Sequence, residues 1–311
     1  MATSTGSRSA RLPRGRLALY ARLARPFTLL PPMVGIFAGS VVAYGATGAP
    51  WSWRLVLGAA LAAALLNAAS NVLNQICDRE IDRVNKPWRP IPAGAIPLDE
   101  AAWLSAALYL AALAVPAFLG WQLFALYAAA ALATYLYSAP PFRTKRSPWG
   151  ANLTIAAARG ELLKVAGWAA VSSVAISWEP WIIGAIFFLF LLGATTTKDF
   201  ADMAGDQAQG CRTLPVLLGP RRAAWAIAPF FLLPWLLLAA ATEQGWLRAN
   251  HSGLYLLAAL MLAWGAWVAR LLIRDPARLV AEGENHPAWR QMYWMMMTAH
   301  LALAAAYLAP R

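Results

Sequence analysis

The chain has 311 residues, of which 60% are hydrophobic and 13% are charged, whereas a soluble domain carries roughly 45–50% apolar and about 25% charged residues. This composition excludes an ordinary soluble domain and indicates an integral membrane protein. The net charge of +12 is typical of basic cytoplasmic loops, so we expect membrane lipid, and no nucleic acid, among the partners. Cys77 and Cys211 are too few for a disulfide framework or a zinc site made only of thiolates.

Apolar windows of about 20 residues, the length that crosses a bilayer, predict nine transmembrane helices. They lie near 26–46, 54–74, 99–118, 121–138, 151–172, 180–198, 221–241, 253–273 and 288–309. We therefore expect an all-α polytopic membrane protein, in which a basic cytoplasmic N-terminal segment, 1–25, precedes a membrane domain, 26–311.

Basic residues are concentrated in alternate loops. Of the 26 Lys and Arg residues, 21 lie in the segments 1–25, 75–98, 139–150, 198–222 and 270–290. Because Lys and Arg favour cytoplasmic loops, this pattern predicts a cytoplasmic N-terminus and an external C-terminus. The location that we expect is a bacterial or archaeal cytoplasmic membrane.

Six of the 14 acidic residues occur in two short stretches on this cytoplasmic side. In the first stretch, Asn74, Asp78 and Asp82 are four residues apart, so a helix places them on one face. In the second, Asp199, Asp202 and Asp206 have i, i+3 and i+7 spacing, again on one face. A single such stretch is equally compatible with a solvated helix end that carries ion pairs.

The two stretches also match one another. Asp78 and Asp82 correspond to Asp202 and Asp206 with an offset of 124 residues, which suggests an internal repeat. We expect two four-helix-like halves around a central cavity, because repeated halves of membrane proteins often bind substrate between them. Neighbouring carboxylates repel unless a cation lies between them, and Mg²⁺ is typically bound by one or two carboxylates and phosphate oxygens.

This arrangement suits a diphosphate bridged by Mg²⁺. A diphosphate neutralised in this way is a good leaving group. If its organic part is an allylic hydrocarbon, ionisation leaves a carbocation that aromatic faces stabilise away from water. Phe27, Tyr135 and Tyr137 are candidates for this role, and core packing is the alternative for each.

Three segments resemble motifs of the UbiA superfamily of intramembrane prenyltransferases. They read Asn74-x-x-x-Asp78-x-x-x-Asp82 followed by Asn85-Lys86-Pro-x-Arg89-Pro-Ile-Pro, Tyr137-Ser138-Ala-Pro140-Pro141-x-Arg143-x-Lys145-Arg146 leading to Arg159-Gly160, and Lys198-Asp199-x-x-Asp202-x-x-x-Asp206 followed by Thr213-Leu-Pro. The resemblance covers nearly the whole chain and implies an all-helical, Mg²⁺-dependent enzyme that transfers a polyprenyl group from a polyprenyl diphosphate to a lipophilic acceptor. It departs from many members at Gln75, where they have Asp.

Site roles follow from the motifs and from charge. Metal binding is expected at Asp78, Asp82, Asp199, Asp202 and Asp206, with Asn74 completing the catalytic set. Candidate diphosphate ligands are Lys86, Arg89, Arg143, Lys145, Lys198 and Arg212, since Arg binds phosphate bidentately and Lys as a point charge. A purely topological role is the alternative for each of these cations.

Charges inside the fifth predicted helix usually face the protein interior or pair with one another. Arg159 matches the Arg-Gly of the family and is expected, with Tyr135 and Tyr137, in the pocket for the allylic cation or the acceptor. Glu161 and Lys164 are placed to neutralise each other. No role is assigned to the histidines.

The residues of these motifs look most like those of digeranylgeranylglyceryl phosphate synthases. This resemblance implies that the acceptor is a lipid hydroxyl of a prenylglyceryl phosphate. An aromatic or tetrapyrrole acceptor is the first alternative, because chlorophyll synthases and homogentisate prenyltransferases are similar. A transporter of an anionic lipid, with a coupling cation at the acids, is an alternative of another class.

Overall fold

The computed structural model describes residues 15–282 and 285–310, and within these ranges the chain forms helices and loops without strands. The α-helices are α1 (Arg16–Ala24), α2 (Leu30–Thr47), α3 (Trp53–Cys77), α4 (Arg79–Asn85), α5 (Leu98–Leu119), α6 (Trp121–Ser138), α7 (Gly150–Ile155), α8 (Leu163–Ala169), α9 (Glu179–Ala194), α10 (Asp199–Ala208), α11 (Leu214–Ile227), α12 (Leu233–Glu243), α13 (His251–Arg274), α14 (Pro276–Glu282) and α15 (Pro287–Leu308). A π-helix, Ala156–Leu162, joins α7 to α8.

Six helical stretches in the described residues are long and apolar enough to cross a membrane. They are Leu30–Thr47, Trp53–Cys77, Leu98–Leu119, Glu179–Ala208, Leu214–Glu243 and His251–Arg274. These stretches confirm the predicted all-helical polytopic membrane protein. The other three predicted spans coincide with α6, with α7 to α8, and with α15, but length and apolarity alone do not establish nine crossings.

Buried apolar side chains form two large clusters that α2 and α8 share. One cluster joins these helices to α3, α5 and α6, and the other joins them to α9, α11, α12, α13 and α15. The shared helices approach closely at Gly39 and Gly167, where a Cβ on Gly39 would lie 3.1 Å from the Gly167 Cα. Ser40 Oγ donates a hydrogen bond to the Gly167 carbonyl, at 2.8 Å, which fixes the crossing of α2 and α8 between the two clusters.

The N-terminal helix α1 packs on the membrane domain. Its buried residues Leu19 and Leu23 lie in a third cluster with Val72 of α3 and with Ile91 and Ile96 of the loop between α4 and α5. Residues 1–14 of the predicted N-terminal segment lie outside the described residues. The described part of that segment is therefore a packed helix.

At the end of the bundle remote from the acidic stretches, buried Glu179 connects three parts of the fold. It accepts hydrogen bonds from Arg248 Nε, at 2.7 Å, and from the Arg248 backbone N–H, at 2.6 Å. It also accepts one from the Tyr307 hydroxyl. This charged group is fully paired, because an unpaired buried carboxylate would be costly.

Candidate active site

Both acidic stretches lie together at one end of the bundle. α4 carries the end of the first stretch and packs on α10, which carries the second. Asn85 Nδ2 donates to the Asp202 carbonyl, and the Gly205 N–H donates to Asn85 Oδ1, both at 3.0 Å. A Cβ at position 205 would lie 2.5 Å from Asn85 Nδ2, so this contact requires glycine.

Buried Lys145 links the two aspartate rows. Its ammonium group donates a 2.7 Å hydrogen bond to Asp78 Oδ2 and lies 3.5 Å from Asp206 Oδ1. Arg143 donates a 2.8 Å hydrogen bond to the other Asp78 oxygen and a 3.0 Å bond to the Cys77 carbonyl. The loop between α6 and α7 therefore supplies cations to the acidic site.

Two further ion pairs involve the remaining predicted cations of the first motif. Arg89 donates to both oxygens of Asp82, at 2.9 and 2.6 Å. Lys86 donates to Asp202 Oδ1 of the second motif, at 2.6 Å. Lys86 of the first motif therefore pairs with the second aspartate row, and Lys145 of the loop after α6 pairs with the first row.

The surroundings shift the pKa of two of these carboxyls in opposite directions. Burial alone would raise the pKa of Asp78, but the Lys145 and Arg143 cations hold it below its usual value. Burial raises the pKa of Asp82, and Arg89 only partly opposes this effect. Asp78 is thus held firmly in its charged form, whereas Asp82 takes up a proton more readily than an ordinary aspartate.

Asp206 differs from these carboxylates because neither of its buried oxygens accepts a hydrogen bond from any described residue. The 3.5 Å separation from Lys145 exceeds the usual hydrogen-bond distance. Among the described residues, no three His, Cys, Asp or Glu side chains are grouped closely enough to hold a metal by themselves. One or two carboxylates completed by phosphate oxygens still match the ordinary Mg²⁺ site, and the unpartnered oxygens of Asp206 fit that donor set.

A cavity of about 250 Å³ extends from this end of the bundle between the helices. Asn74, Tyr137 and Lys198 line its polar end. Asn74 Nδ2 donates to Asp78 Oδ2, at 2.8 Å, and Lys198 Nζ donates to the Tyr137 hydroxyl, at 2.9 Å. The deeper wall is apolar and includes Pro31, Leu163, Phe187, Phe190 and Met296. A ligand with a polyanionic head and a hydrocarbon tail matches this polarity.

Arg159 lies between this cavity and a smaller apolar cavity of about 50 Å³, and it lines both of them. Its neighbour Gly160 allows the π-helix to approach α9, because a Cβ there would lie 2.7 Å from the Phe188 backbone. The side chain of Arg159 is accessible within the cavities. Phe27 also lines the main cavity, and the guanidinium of Arg25 lies 5.5 Å from its ring centre.

A ladder of three amides on α3 was not anticipated from the sequence. Asn67, Asn71 and Gln75 donate hydrogen bonds to the C-terminal end of α1 and to the segment that follows it, at the Thr28, Ala24 and Leu23 carbonyls respectively, each at 2.8 or 2.9 Å. Gln75 therefore holds α1 in place and does not face the aspartates. The i, i+4, i+8 spacing of amides in an apolar helix is the signal that could have revealed this ladder.

Three predicted roles do not match the observed positions. Tyr135 is 47% exposed and does not line the cavity, because residues two apart on a helix point in different directions. The side chain of Arg212 is exposed, and its backbone N–H donates to the Arg146 carbonyl. Lys164 Nζ has no hydrogen-bond partner among the described residues, so the expected pair with Glu161 is absent there. The π-helix alters the angle between positions 161 and 164.

Known proteins are similar to this chain in both fold and sequence. The UbiA prenyltransferase family matches residues 32–281. The bacteriochlorophyll synthase 33 kDa chain of Cereibacter sphaeroides is 32% identical over 255 residues, which cover 82% of this chain and 83% of that protein. The digeranylgeranylglyceryl phosphate synthase of Thermococcus gammatolerans is 32% identical over 216 residues, covering 69% and 74% of the two chains.

Among solved structures, a UbiA homologue from Archaeoglobus fulgidus bound to DMAPP and Mg²⁺ has a TM-score of 0.70 at 22% identity. The match covers 92% of this chain and 99% of that one. The shared fold, together with the family match and the sequence relatives, shows that this chain belongs to the UbiA prenyltransferase family of integral membrane enzymes.

Proposed function

We propose that this enzyme transfers a polyprenyl group from an allylic polyprenyl diphosphate to a lipophilic acceptor and releases pyrophosphate. The bond from prenyl C1 to the diphosphate oxygen breaks, C1 bonds to an acceptor oxygen, and that oxygen loses its proton. The observation that carries this proposal is the contact between the aspartate site and the polar end of the cavity, where Asn74 lines the cavity and donates to Asp78, which pairs with Lys145. Family membership favours the enzyme over a transporter of an anionic lipid.

In this proposal, the two aspartate rows bind Mg²⁺ together with diphosphate oxygens, each ion taking one or two carboxylates from the set Asp78, Asp82, Asp199, Asp202 and Asp206, with Asn74 beside them. The metal would neutralise the charge of the leaving diphosphate. Mg²⁺ together with DMAPP is present in the homologue from Archaeoglobus fulgidus. The buried oxygens of Asp206 support the assignment, since no described residue satisfies them. The cations that grip the diphosphate are Lys86, Arg89, Arg143, Lys145 and Lys198.

The reacting carbon is expected beside Tyr137, where the polar and apolar parts of the cavity meet. The Lys198 ammonium lies 5.1 Å from the Tyr137 ring centre and bonds to its hydroxyl. When Lys198 binds the diphosphate, the ring is free to face the allylic cation. Phe27 supplies a second aromatic face on the cavity wall.

The proposed acceptor is an anionic lipid that Arg159 binds. Arg159 lines both cavities, so it can bind an acceptor anion while the prenyl chain occupies the larger one. We propose a prenylglyceryl phosphate as this lipid because it joins an anionic head to an apolar chain, and a digeranylgeranylglyceryl phosphate synthase is similar to this chain. A tetrapyrrole is the second candidate, because a bacteriochlorophyll synthase is similar to the same degree.

We further propose nine crossings, with α6, the α7 to α8 segment and α15 added to the six apolar stretches. The distribution of basic residues supports a cytoplasmic N-terminus and a site that faces the cytoplasm. Residues 26–311 then form one membrane domain, against which α1 packs.

The experiment that tests the function uses the purified protein in lipid nanodiscs with labelled geranyl, farnesyl and geranylgeranyl diphosphate. Geranylgeranylglyceryl phosphate and chlorophyllide are offered separately as acceptors. We expect pyrophosphate release and a prenylated product only with both acceptor and Mg²⁺, and with the glyceryl phosphate rather than the tetrapyrrole. Product from chlorophyllide alone would contradict the acceptor, and intact diphosphate under all conditions would contradict the reaction.

A further inference from the structure

The helical stretch that carries the second aspartate row changes its winding just before the row begins. α9 ends at Ala194, a 3₁₀-helix spans Thr195–Lys198, and α10 follows without a break. A 3₁₀-helix turns by about 120° per residue and an α-helix by about 100°, so four such residues rotate everything that follows by about 80°. The directions of Lys198 and of the aspartates on α10 therefore depend on where this change occurs.

Asn152 of α7 contacts both ends of the turn in which the winding changes. Its buried amide donates a 2.8 Å hydrogen bond to the Leu192 carbonyl and a 2.5 Å bond to the Thr196 hydroxyl. An uninterrupted α-helix would pair that carbonyl with the N–H of Thr196, four residues farther on. Asn152 thus supplies a side-chain partner to the Leu192 carbonyl where α9 gives way to the 3₁₀-helix.

The threonines of the 3₁₀-helix also bond in a way that bends the chain. Thr195 and Thr197 each donate a hydroxyl hydrogen bond to a carbonyl of the preceding turn, at 2.8 and 2.7 Å, and such bonds compete with the helical ones. The hydroxyl of Thr196 is instead bonded to Asn152. Because the Thr196 carbonyl accepts a hydrogen bond from the Asp199 N–H, Asn152 is linked through one residue to the backbone of the second aspartate row.

This geometry reaches the main cavity through Lys198. Lys198 lies two residues after Thr196 and lines the cavity, where its ammonium donates a 2.9 Å hydrogen bond to the Tyr137 hydroxyl. Asn152 and Thr196 are buried and are not among the residues that line the cavity. Any effect of these two residues on a ligand in the cavity must therefore pass through the groups that they position.

The helix that carries Asn152 is itself tied to the loop that carries Lys145. Lys145 lies in a 3₁₀ turn of that loop. The hydroxyl groups of Thr144 in the same turn and Thr154 on α7 share a 2.9 Å hydrogen bond. Asn152 therefore connects the segments that bear Lys145 and Lys198, two of the cations expected to bind the diphosphate.

We propose that Asn152, acting through Thr196, is a positioning residue that holds Lys198 in the direction required to bind the diphosphate. The inference rests on the proposed use of a prenyl diphosphate, and it concerns two residues that have no role in that proposal. Neither residue touches the substrate. Without the Asn152 amide, the Leu192 carbonyl loses its side-chain donor, so the turn rewinds as α-helix and Lys198 rotates away from the diphosphate.

The test measures the dissociation constant of geranyl diphosphate by calorimetry, with Mg²⁺ and without acceptor. Asn152→Leu introduces an apolar side chain of similar size, and Thr196→Val removes the hydroxyl that accepts one of the bonds. We expect each variant to weaken binding by about tenfold or more, the contribution of one charged hydrogen bond. Thr196→Ser keeps the hydroxyl and should bind within about threefold of the wild type.

A pair of double variants shows whether the effect passes through Lys198. In a Lys198→Met background, Asn152→Leu should change the dissociation constant by less than about twofold, because the group that it positions is already missing. Thr242→Val is the matched control, since Thr242 is buried and its hydroxyl donates to the Leu238 carbonyl of its own helix. Thr242 precedes Arg248 by six residues, at the end of the bundle remote from the aspartates, and this variant should keep the wild-type affinity.

Equal weakening by Asn152→Leu in both backgrounds would overturn the positioning role. So would a Thr196→Ser protein that binds as poorly as Thr196→Val, or wild-type affinity in both Asn152→Leu and Thr196→Val. Two positions are substituted so that the misfolding of one variant, detected by thermal unfolding, does not decide the outcome. Failure of the proposed reaction has a different signature, since geranyl diphosphate would then bind with the expected pattern while no acceptor yields product.

Discussion

Lys145 Nζ donates a 2.7 Å hydrogen bond to Asp78 Oδ2 from a loop 67 residues farther along the chain. The same ammonium group also lies next to Asp206, so one cation serves both aspartate rows. A charged hydrogen bond of this kind contributes roughly 1.5–3 kcal/mol. We predict that Lys145→Gln lowers kcat/KM for the diphosphate by about ten- to hundredfold, and Arg89→Gln by a similar factor.

Arg274→Gln is the control for these two variants, because Arg274 is exposed at the end of α13 and should change kcat/KM by less than about twofold. Kinetics in which the diphosphate concentration is varied at saturating acceptor distinguish a cation that binds the diphosphate from one that only determines membrane orientation. Equal and small effects at all three positions would mean that these cations determine membrane orientation and nothing more.

Asp206→Asn and Asp78→Asn should separate activity from stability. Both variants should lose most of their turnover. Asp206 accepts no hydrogen bond from a described residue, and Lys145, 3.5 Å away, keeps Asp78 as its closer partner at 2.7 Å. Removing the charge of Asp206 should therefore leave the Tm unchanged or higher. Asp78→Asn removes the counterion of Lys145 and Arg143, and breaking a buried pair costs about 3–5 kcal/mol, so its Tm should fall.

The measurements are thermal unfolding and pyrophosphate release in the same detergent. Glu80→Gln is the matched control, because Glu80 belongs to the first acidic stretch but has a half-exposed side chain that pairs with its neighbours Arg79 and Arg83. It should change neither quantity appreciably. An Asp206→Asn protein with near-normal turnover in Mg²⁺ would remove the two-row site.

Acid should erase the stability advantage of the wild type over Asp78→Asn only below about pH 4. The folded state lowers the pKa of Asp78, so its stabilising contribution is complete above the unfolded value of about 3.9 and is lost as the pH falls through the lowered folded value. The difference in Tm between the two proteins should therefore be constant from pH 8 to pH 5. Asp82 protonates at a higher pH but is present in both proteins. A difference that already declines between pH 6 and pH 5 would contradict the pairing.

Labelling of Cys77 should report the orientation of the site. Cys77 is partly exposed beside Asp78, whereas Cys211 is buried. In a Cys211→Ser background, a membrane-impermeant thiol reagent should modify Cys77 from the cytoplasmic side only. Diphosphate with Mg²⁺ should slow the reaction. Modification from the outside of intact cells would reverse the proposed topology.

Asn71→Leu should release the segment that joins α1 to α2. The variant removes hydrogen bonds to the Ala24 carbonyl and the Thr28 hydroxyl and leaves buried polar groups unpaired, which costs about 1–3 kcal/mol. We expect a lower Tm and faster proteolysis near residues 25–29. Asn285→Leu, at an exposed position, should alter neither. Unchanged proteolysis in Asn71→Leu would show that the ladder does not hold this segment.

The helices and the two aspartate rows could be predicted from the sequence, because hydropathy and the spacing of charges depend only on residues that are close together in the chain. Apolar windows located the helices, and the spacing of Asp78 and Asp82 together with Asp202 and Asp206 indicated two rows that the structure places side by side. The two-row interpretation nevertheless assumed that these carboxylates mainly repel each other. Asp78 in fact lies between two cations from the loop after α6, and only the tertiary structure reveals that pairing.

The side-chain roles that were predicted poorly are those that depend on how each helix is rotated about its own axis. Tyr135 and Tyr137 look equivalent in the motif, yet only Tyr137 lines the cavity. Gln75 occupies a motif position where many family members have Asp, yet its side chain faces α1. Lys164 looked like a partner of Glu161, but a π-helical turn intervenes. A shift of one residue in helical register changes which face a side chain occupies, and hydropathy windows do not resolve such a shift.

The contacts of Asn85 with the backbone at Asp202 and Gly205 join α4 to α10 through groups that carry no charge. These bonds form as the chain folds and need neither metal nor diphosphate to hold the two aspartate rows at a fixed separation. The conformational entropy of bringing the rows together is therefore lost during folding rather than during substrate binding. Ion pairs among the charged side chains can then be exchanged for substrate contacts at every turnover while the scaffold beneath them stays in register.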